Sequence, residues 1–144
     1  MRYAVESVAE CWDEIVPLAG RHHAEARFPW PFRPKREFYD GLERAKVLSV
    51  FTMRDGRQFL QGYATFVILD HPHMECRVAS QDTIYVLPEA RGYGSGKFLL
   101  WCDERLKALG AQLIVRGVTR DADFSPALVR IGYTLGDMLL SRRV

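Results

Sequence analysis

Three glycines alternate with other residues in one short segment, and an arginine precedes the first of them. The segment is Arg91-Gly92-Tyr93-Gly94-Ser95-Gly96-Lys97. Glycine lets a backbone approach a bulky ligand closely, and the first turn of a helix has N–H groups without a partner inside the helix. A helix that begins here is therefore predicted to bind a phosphate through its main chain. The alternative is a tight strand-to-helix turn, although one turn does not need three alternating glycines.

The spacing excludes two common phosphate-binding loops. A Walker loop needs a serine or threonine after its lysine, but residue 98 is a phenylalanine, and residue 91 is an arginine where the first glycine should be. The dinucleotide fingerprint is G-x-G-x-x-G after a strand of a parallel sheet. Here the spacing is G-x-G-x-G, and the preceding strands are predicted to form antiparallel hairpins. The pattern that matches is R-x-x-G-x-G.

That pattern resembles the acetyl-CoA pyrophosphate loop of the GNAT acetyltransferase superfamily. The preceding residues 82–92 resemble the family's fourth strand with its V-x-P-E-x-R-G ending, and residues 127–133 resemble its L-Y-E-K-L-G-F segment. About half of the chain, residues 77–133, is covered by recognisable pattern. Residues 14–26 also resemble small members of the family that are encoded by bacteriophages.

The resemblance implies an acetyl-CoA-dependent N-acetyltransferase that moves an acetyl group to a primary amine by direct transfer in a ternary complex. Main-chain N–H groups from Tyr93 to Lys97 would bind the pyrophosphate, and Val86 and Leu87 would pair with the pantetheine arm. The Lys97 side chain would add a charge contact or be a solvated lysine. The residues expected to bind the cosubstrate are Val86, Leu87, Arg91, Gly92, Tyr93, Gly94, Ser95, Gly96 and Lys97.

Asp82 is the candidate catalytic residue, because the family usually supplies a base from its fourth strand and Asp82 is the only carboxylate there. Strand alternation predicts that Asp82 shares a face with Ser80, Ile84 and Val86. We expect it to act as the base or as the anchor of the substrate amine. The alternative is a surface aspartate paired with an arginine.

The proton donor is missing from its usual place. Leu128 stands where the family has a tyrosine, and Tyr85, Tyr93 or Tyr133 would either substitute for it or only pack. Water can also protonate a thiolate. The departure leaves a second function open, a CoA-binding or protein-interaction module on the same fold with weak or no transferase activity.

Substrate choice is expected to come from the first helices and their connection. Aromatic residues lie there among basic ones, and they would either form a wall for an aromatic or partly anionic acceptor or pack within a loop. These aromatic residues are Phe28, Trp30, Phe32, Phe38 and Tyr39. The adjacent His22 and His23 are interpreted as structural or solvent-facing.

The sequence predicts an α/β protein in the α+β sense, with a mixed, mostly antiparallel sheet and flanking helices. One helical face is expected to carry Val5, Val8, Trp12, Ile15 and Ala19. An Asp-Gly turn is expected to join two strands of a hairpin. The other predicted elements are a leading strand at 1–4, a helix at 36–44, a strand at 77–87, a helix ending at 109, a strand at 112–118, a helix at 122–131 and a strand at 133–143.

Composition fits one domain, residues 1–144. The 20 basic and 18 acidic residues give a net charge of +2, which does not favour nucleic-acid binding. Three cysteines without C-x-x-C spacing favour a reducing cytoplasm. No apolar run is long enough to cross a membrane, and no metal is expected, because His71, His73 and Cys76 lack a fourth ligand. A homodimer through Leu139, Leu140, Arg142 and Arg143 and a monomer remain alternatives.

Overall fold

The structure, a computed structural model, describes residues 1–137 and 139–144, without the side chain of Tyr93. Its centre is a five-stranded sheet of order β1-β2-β3-β4-β5. The first three pairings are antiparallel and the last is parallel. The strands are β1 (Arg2–Val5), β2 (Leu48–Arg54), β3 (Leu60–Asp70), β4 (Arg77–Val86) and β5 (Leu113–Val115). The predicted mixed, mostly antiparallel sheet with flanking helices is confirmed.

The turn between β2 and β3 forms as the Asp-Gly pair predicts. One carboxylate oxygen of Asp55 accepts the main-chain N–H groups of Arg57 and Phe59, at 2.8 and 2.9 Å. An aspartate that caps its own turn in this way fixes where the two strands meet. The long hairpin provides the central strands of the sheet.

Strand β4 contains one residue more than β3 between two paired positions. Thr65 pairs with Thr83, but Phe66 pairs with Gln81, so Asp82 has no direct partner in β3. Such a β-bulge bends its strand and interrupts the alternation of side chains.

Strand β5 is shorter than the predicted strand at 112–118. It pairs with β4 only along Val78–Ser80, before the bulge. Beyond that point the side chain of Gln81, and not the main chain of β4, reaches the carbonyl oxygen of Gly117 at 2.9 Å. The two strands therefore separate where β4 bends, and the remaining edge of β4 is left without a strand partner among the described residues.

The helices are α1 (Val8–Glu25), α2 (Arg36–Arg44), α3 (Tyr93–Ala108) and α4 (Ser125–Arg130). Ser7 and Glu10 form a reciprocal cap at the start of α1, in which each side chain binds the other residue's main chain. Val5, predicted to lie on the face of this helix, belongs instead to β1, because the cap at Ser7 starts the helix later. Pro17 lies inside α1, which continues to Glu25.

The core lies between the sheet and the apolar faces of α1 and α3. From α1 it takes Val8, Cys11 and Ile15, and from α3 it takes Phe98, Cys102 and Leu106. The central strands add large side chains that are almost fully buried: Phe51, Met53, Tyr63 and Phe66. This packing fixes both helices against β2, β3 and β4. In the described part of the chain, no helix has the length and apolar character needed to span a membrane.

The end of the chain differs from its prediction. Residues 133–137 and 139–144 contain no strand, although a strand was expected at 133–143. The strand at that edge of the sheet, β5, has only three residues, so it offers few main-chain groups with which a further strand could pair. Leu139 and Leu140 are 95% and 94% exposed. The homodimer through these residues stays a prediction.

Candidate active site

The start of α3 presents three main-chain donors at one end of the site. Gly92 is the residue before the helix, and its φ of +102° suits glycine. The Ser95 hydroxyl closes the loop by contacting the N–H and the carbonyl of Gly92, at 3.1 and 2.8 Å. The N–H groups of Tyr93, Gly94 and Ser95 are those of a first turn, without an acceptor in the helix.

The donors are fewer than the sequence predicted. The N–H of Gly96 donates to the carbonyl of Gly92 at 3.2 Å, so it belongs to the hydrogen bonds of the helix. Lys97 follows within the helix and is exposed. The range of free N–H groups is therefore 93–95 instead of 93–97, because the helix begins at the first residue of that range.

The unpaired edge of β4 leads away from this helix. Leu87 donates its N–H to the carbonyl of Gln61 at 2.9 Å. In an antiparallel pair the hydrogen-bonded positions alternate, so the main chains of Ile84 and Val86 are directed away from β3, toward the free edge. The carbonyl of Val86 accepts Arg91 Nε at 2.9 Å.

The two residues predicted to pair with the pantetheine arm thus differ in their surroundings. The main chain of Val86 lies on the free edge. That of Leu87 has partners inside the chain, since its carbonyl also accepts the N–H of Ala90 at 2.8 Å. The sequence did not predict Ile84 as a partner of the pantetheine arm. The alternation of hydrogen bonds along β4 identifies it only when the register of β4 with β3 is known.

Asp82 lies at the bulge and is held by two hydroxyl groups. Tyr39 and Thr65 each donate to its Oδ2 atom at 2.9 Å. Asp82 contacts the face of β3 that carries Thr65, whereas Ile84 pairs with Ala64 on the other face. The predicted face shared with Ile84 and Val86 is wrong, because the bulge breaks strict alternation.

A cavity of about 1350 Å³ connects these elements. Its wall includes the free edge of β4, the start of α3, the inner face of α1 and the residues after β5. Of the aromatic residues proposed as a substrate wall, Phe38 is not part of the lining. Those that line the cavity are Phe28, Trp30, Phe32 and Tyr39.

His22 and His23, interpreted from the sequence as structural or solvent-facing, both line this cavity. His22 stacks on Tyr85 with the ring centres 5.5 Å apart, and its Nδ1 lies 3.3 Å from Thr83 Oγ1. The sequence alone could not predict these contacts of His22, because they depend on which strand faces the helix.

Arg91 is held by an ion pair that the sequence did not predict. Its Nη2 lies 2.8 Å from a carboxylate oxygen of Glu25, at the end of α1, and its guanidinium lies over the ring of Tyr85 at 5.4 Å. The hydrogen bond from Arg91 lowers the pKa of Glu25 below its ordinary range. This pair joins α1 to the loop before α3.

Three tyrosines were considered as proton donors. Two of them make hydrogen bonds with other side chains, and the side chain of the third lies outside the described residues. The Tyr133 hydroxyl donates to Asp103 and accepts from Arg116 Nε, each at 2.9 Å. Tyr85 has a hydrogen bond with Glu25. The side chain of Tyr93 lies outside the described residues, and Leu128 is buried in its helix.

The chain has no group of three or more metal-ligating side chains within its described residues. His71 and His73 lie together in the turn before β4, with ring centres 6.0 Å apart. Within the described residues, the cavity presents main-chain donors, the Asp82 carboxylate and the side chains around His22.

Comparison with known proteins gives the family. The model of the Acetyltransferase (GNAT) family matches residues 12–133. The comparison with curated proteins found no match.

Three solved structures illustrate the likeness of fold. Ribosomal-protein-alanine N-acetyltransferase from Brucella melitensis biovar Abortus 2308 is 19% identical, with a TM-score of 0.72 and full coverage of both chains. A predicted acetyltransferase with acetyl-CoA from Clostridium acetobutylicum is 14% identical, with a TM-score of 0.77, covering 99% of this chain and 95% of that one. The aminoglycoside acetyltransferase meta-AAC0020 from an uncultured soil metagenomic sample, in complex with sisomicin, is 14% identical, with a TM-score of 0.74 and coverage of 99% and 94%.

At these identities the solved structures support the fold alone, whereas the family model spans most of the chain. It covers α1 from residue 12 onward, the bulged strand β4 and the glycine loop, which all line the cavity. The chain belongs to the Acetyltransferase (GNAT) family.

Proposed function

We propose that the protein transfers an acetyl group from acetyl-CoA to a primary amine, by direct attack within a ternary complex. One observation carries the proposal: the free edge of β4 joins the first-turn donors of α3 at one end to Asp82 at the other, along one cavity. This arrangement offers an anion site, a main-chain edge for an extended arm and a carboxylate for an amine.

The anion site would take the pyrophosphate of CoA. The N–H groups of residues 93–95 carry the positive end of a 16-residue helix. Such donors can hold a strongly anionic group even in a chain whose net charge is only +2. Arg91 and Lys97 stand beside the same loop and add positive charge.

The edge of β4 would take the pantetheine arm. Ile84 and Val86 direct their main chains toward this edge, so amide groups of the arm can pair with the main chain of Ile84 and with the N–H of Val86, whose carbonyl already accepts Arg91 Nε. The separation of β5 from β4 provides the room. The arm would then end near the bulge, where Asp82 and Thr83 lie.

Asp82 would anchor the acceptor or accept its proton. Both of its hydrogen bonds end on Oδ2, which leaves Oδ1 without a partner among the described residues. A carboxylate in that state can bind a substrate ammonium group.

The Asp82→Asn variant is expected to lose at least tenfold in kcat/KM for the amine, because the charge attraction is removed while the shape is kept. Its KM for acetyl-CoA should change little. Asp70→Asn is the matched control, since Asp70 is exposed at the end of β3. If Asp82→Asn kept full acetyl transfer over a wide pH range, the role of Asp82 would be wrong.

The proposed function is tested by calorimetry with acetyl-CoA, followed by release of free thiol. The acceptors are phenethylamine, sisomicin and a peptide with an N-terminal alanine. Binding together with amine-dependent thiol release is expected. Absence of acetyl-CoA binding would overturn the proposal.

The second candidate is a CoA-binding or protein-interaction module with weak or no transferase activity. The buried Leu128 favours it, because no tyrosine hydroxyl is available at that position to protonate the thiolate. Binding of acetyl-CoA without thiol release from any acceptor in the panel would favour this module. For the transferase, water from the open cavity would supply the proton.

A further inference from the structure

His22 lies at the point where α1 crosses the part of β4 that follows the bulge. Its imidazole contacts Thr83 and Tyr85 of β4 and stands edge-on to Phe28, with ring centres 5.9 Å apart. It is half-buried and lines the cavity into which Asp82 also opens. A titratable ring thus lies in the same cavity as Asp82, beside the residue that follows it in β4.

The surrounding hydroxyl groups favour one tautomer of the ring. Burial raises the pKa of Tyr63 to about 12, and a hydrogen bond between the Thr83 and Tyr63 hydroxyls acts in the opposite direction, as a bond donated by Thr83 does. If Thr83 donates to Tyr63, its oxygen is free to accept Nδ1–H from His22. The lone pair is then on Nε2, and a neutral imidazole with a free Nε2 can accept a proton.

The charges around His22 keep this ring neutral near physiological pH. Burial lowers its pKa from the ordinary value of 6.5, and the positive charges of Arg91 and His23 act in the same direction. Glu25 opposes them, but its carboxylate is already paired with Arg91. The groups contributed by β3 and β4 are the neutral hydroxyls of Tyr63, Thr83 and Tyr85.

We propose that His22 is the base that removes the proton from the acceptor ammonium group, while Asp82 anchors that group. This proposal rests on the proposed function. Near neutral pH a carboxylate is ordinarily a much weaker base than imidazole, whereas its charge makes it the better anchor. Asp82 therefore holds the acceptor nitrogen by its charge, and His22 takes the proton from it.

The ammonium group gives one proton to His22 Nε2, and the freed nitrogen lone pair attacks the thioester carbonyl carbon. The C–S bond breaks with its electrons on sulfur, and the second proton of the nitrogen reaches the thiolate through water. His22 then returns its proton to solvent. The products are an N-acetylamine and CoA.

The tautomer is tested without any acceptor by ¹⁵N NMR of the histidine rings. At pH 7 the proposal expects His22 to be neutral, with the proton on Nδ1 and Nε2 unprotonated, and to titrate below pH 6.5. A proton on Nε2 in the neutral ring would overturn the proposal, because that nitrogen could not accept another one.

Kinetics with the best acceptor of the panel give the second test. For the unmodified chain, kcat/KM should be level from pH 7 to 9. In His22→Gln it should fall by about 10²- to 10⁴-fold at pH 7. It should then rise about tenfold per pH unit, because only the free amine can react and primary amines have pKa values near ~10.

His23→Gln is the matched control, since His23 is the adjacent ring of the same cavity. It contacts Phe28 and Phe32, and among the described residues it makes no hydrogen bond to β4. This variant should keep the level profile whatever its absolute rate. A level profile in His22→Gln, with turnover by the unmodified chain, would reject His22 as the base and leave the proposed function standing. An unmodified chain that binds no acetyl-CoA would instead reject the function itself.

Discussion

Gly92 sets the direction of the chain between the end of β4 and the start of α3. Its φ of +102° and ψ of −135° lie where a residue with a Cβ atom is strained. No atom would touch a Cβ at this position, so the requirement comes from the backbone alone. Gly96 differs, because it lies within the helix at an ordinary negative φ.

Gly92→Ala is expected to destabilise the protein by about 1–3 kcal/mol, the usual cost of such backbone strain. It should also weaken acetyl-CoA binding, because relief of the strain moves the N–H groups of residues 93–95. Urea unfolding and calorimetry measure the two effects.

Gly96→Ala is the control for stability. Alanine is the better helix former, and nothing lies within 4 Å of the added Cβ. The free energy of unfolding should stay the same or rise by up to about 1 kcal/mol. Equal losses in both variants would contradict the special role of the Gly92 backbone.

At the scale of elements, local patterns predicted the hairpin, α2 and the strand–loop–helix of the site. Asp55-Gly56 fixed the turn, and α2 has the predicted bounds Arg36–Arg44. The bulge at Asp82 was not predictable, because it depends on how β4 aligns with β3. That one residue changed which side chains share a face with Asp82.

A buried network joins α3 to the residues after β5. The guanidinium of Arg116, whose side chain is 0% exposed, contacts Asp103 on α3 at 2.5 Å and Gln81 on β4 at 3.1 Å. It also lies 4.9 Å from the centre of the Phe66 ring. The network holds the segment after β5 beside the bulge, where main-chain pairing has ended.

Asp103→Asn is expected to destabilise the protein by about 3–5 kcal/mol, because it leaves the buried charge of Arg116 without its counter-charge. Thermal and urea unfolding measure the loss. Glu104→Gln is the control, since Glu104 is exposed on the next position of α3, and its effect should stay within about 0.5 kcal/mol. A loss as small in Asp103→Asn as in Glu104→Gln would show that the network contributes little to stability.

At the scale of the whole molecule, β5 separates from β4 beyond the bulge, and the cavity is lined by the free part of β4 and by residues after β5. The sequence predicted the strands on both sides, but not that β5 would stop after three residues or that residues 133–137 and 139–144 would contain no strand. Both depend on the edge available for pairing, which is a property of the assembled sheet. For the same reason the meeting of His22, Thr83 and Tyr85 could not be predicted from any one segment.

Buried and paired ionisable side chains make the stability of the protein depend on pH. The cavity buries His22 enough to lower its pKa below 6.5, so between that lowered pKa and 6.5 the unfolded chain binds more protons than the folded one. Hydrogen bonds from Arg54 and Arg91 lower the pKa values of Glu14 and Glu25 below 4.5. Their contributions are present above pH 4.5 and are lost as the pH falls through the lowered values.

The free energy of unfolding should therefore decrease in two stages on acidification, one beginning near pH 6.5 and one below pH 4.5. His22→Gln should remove the first stage and keep the second, because glutamine does not titrate. Urea unfolding at intervals between pH 8 and 3 measures both. His73→Gln is the control, since His73 is exposed in the turn before β4. Loss of the first stage in His73→Gln, or its survival in His22→Gln, would assign it to a group outside the cavity.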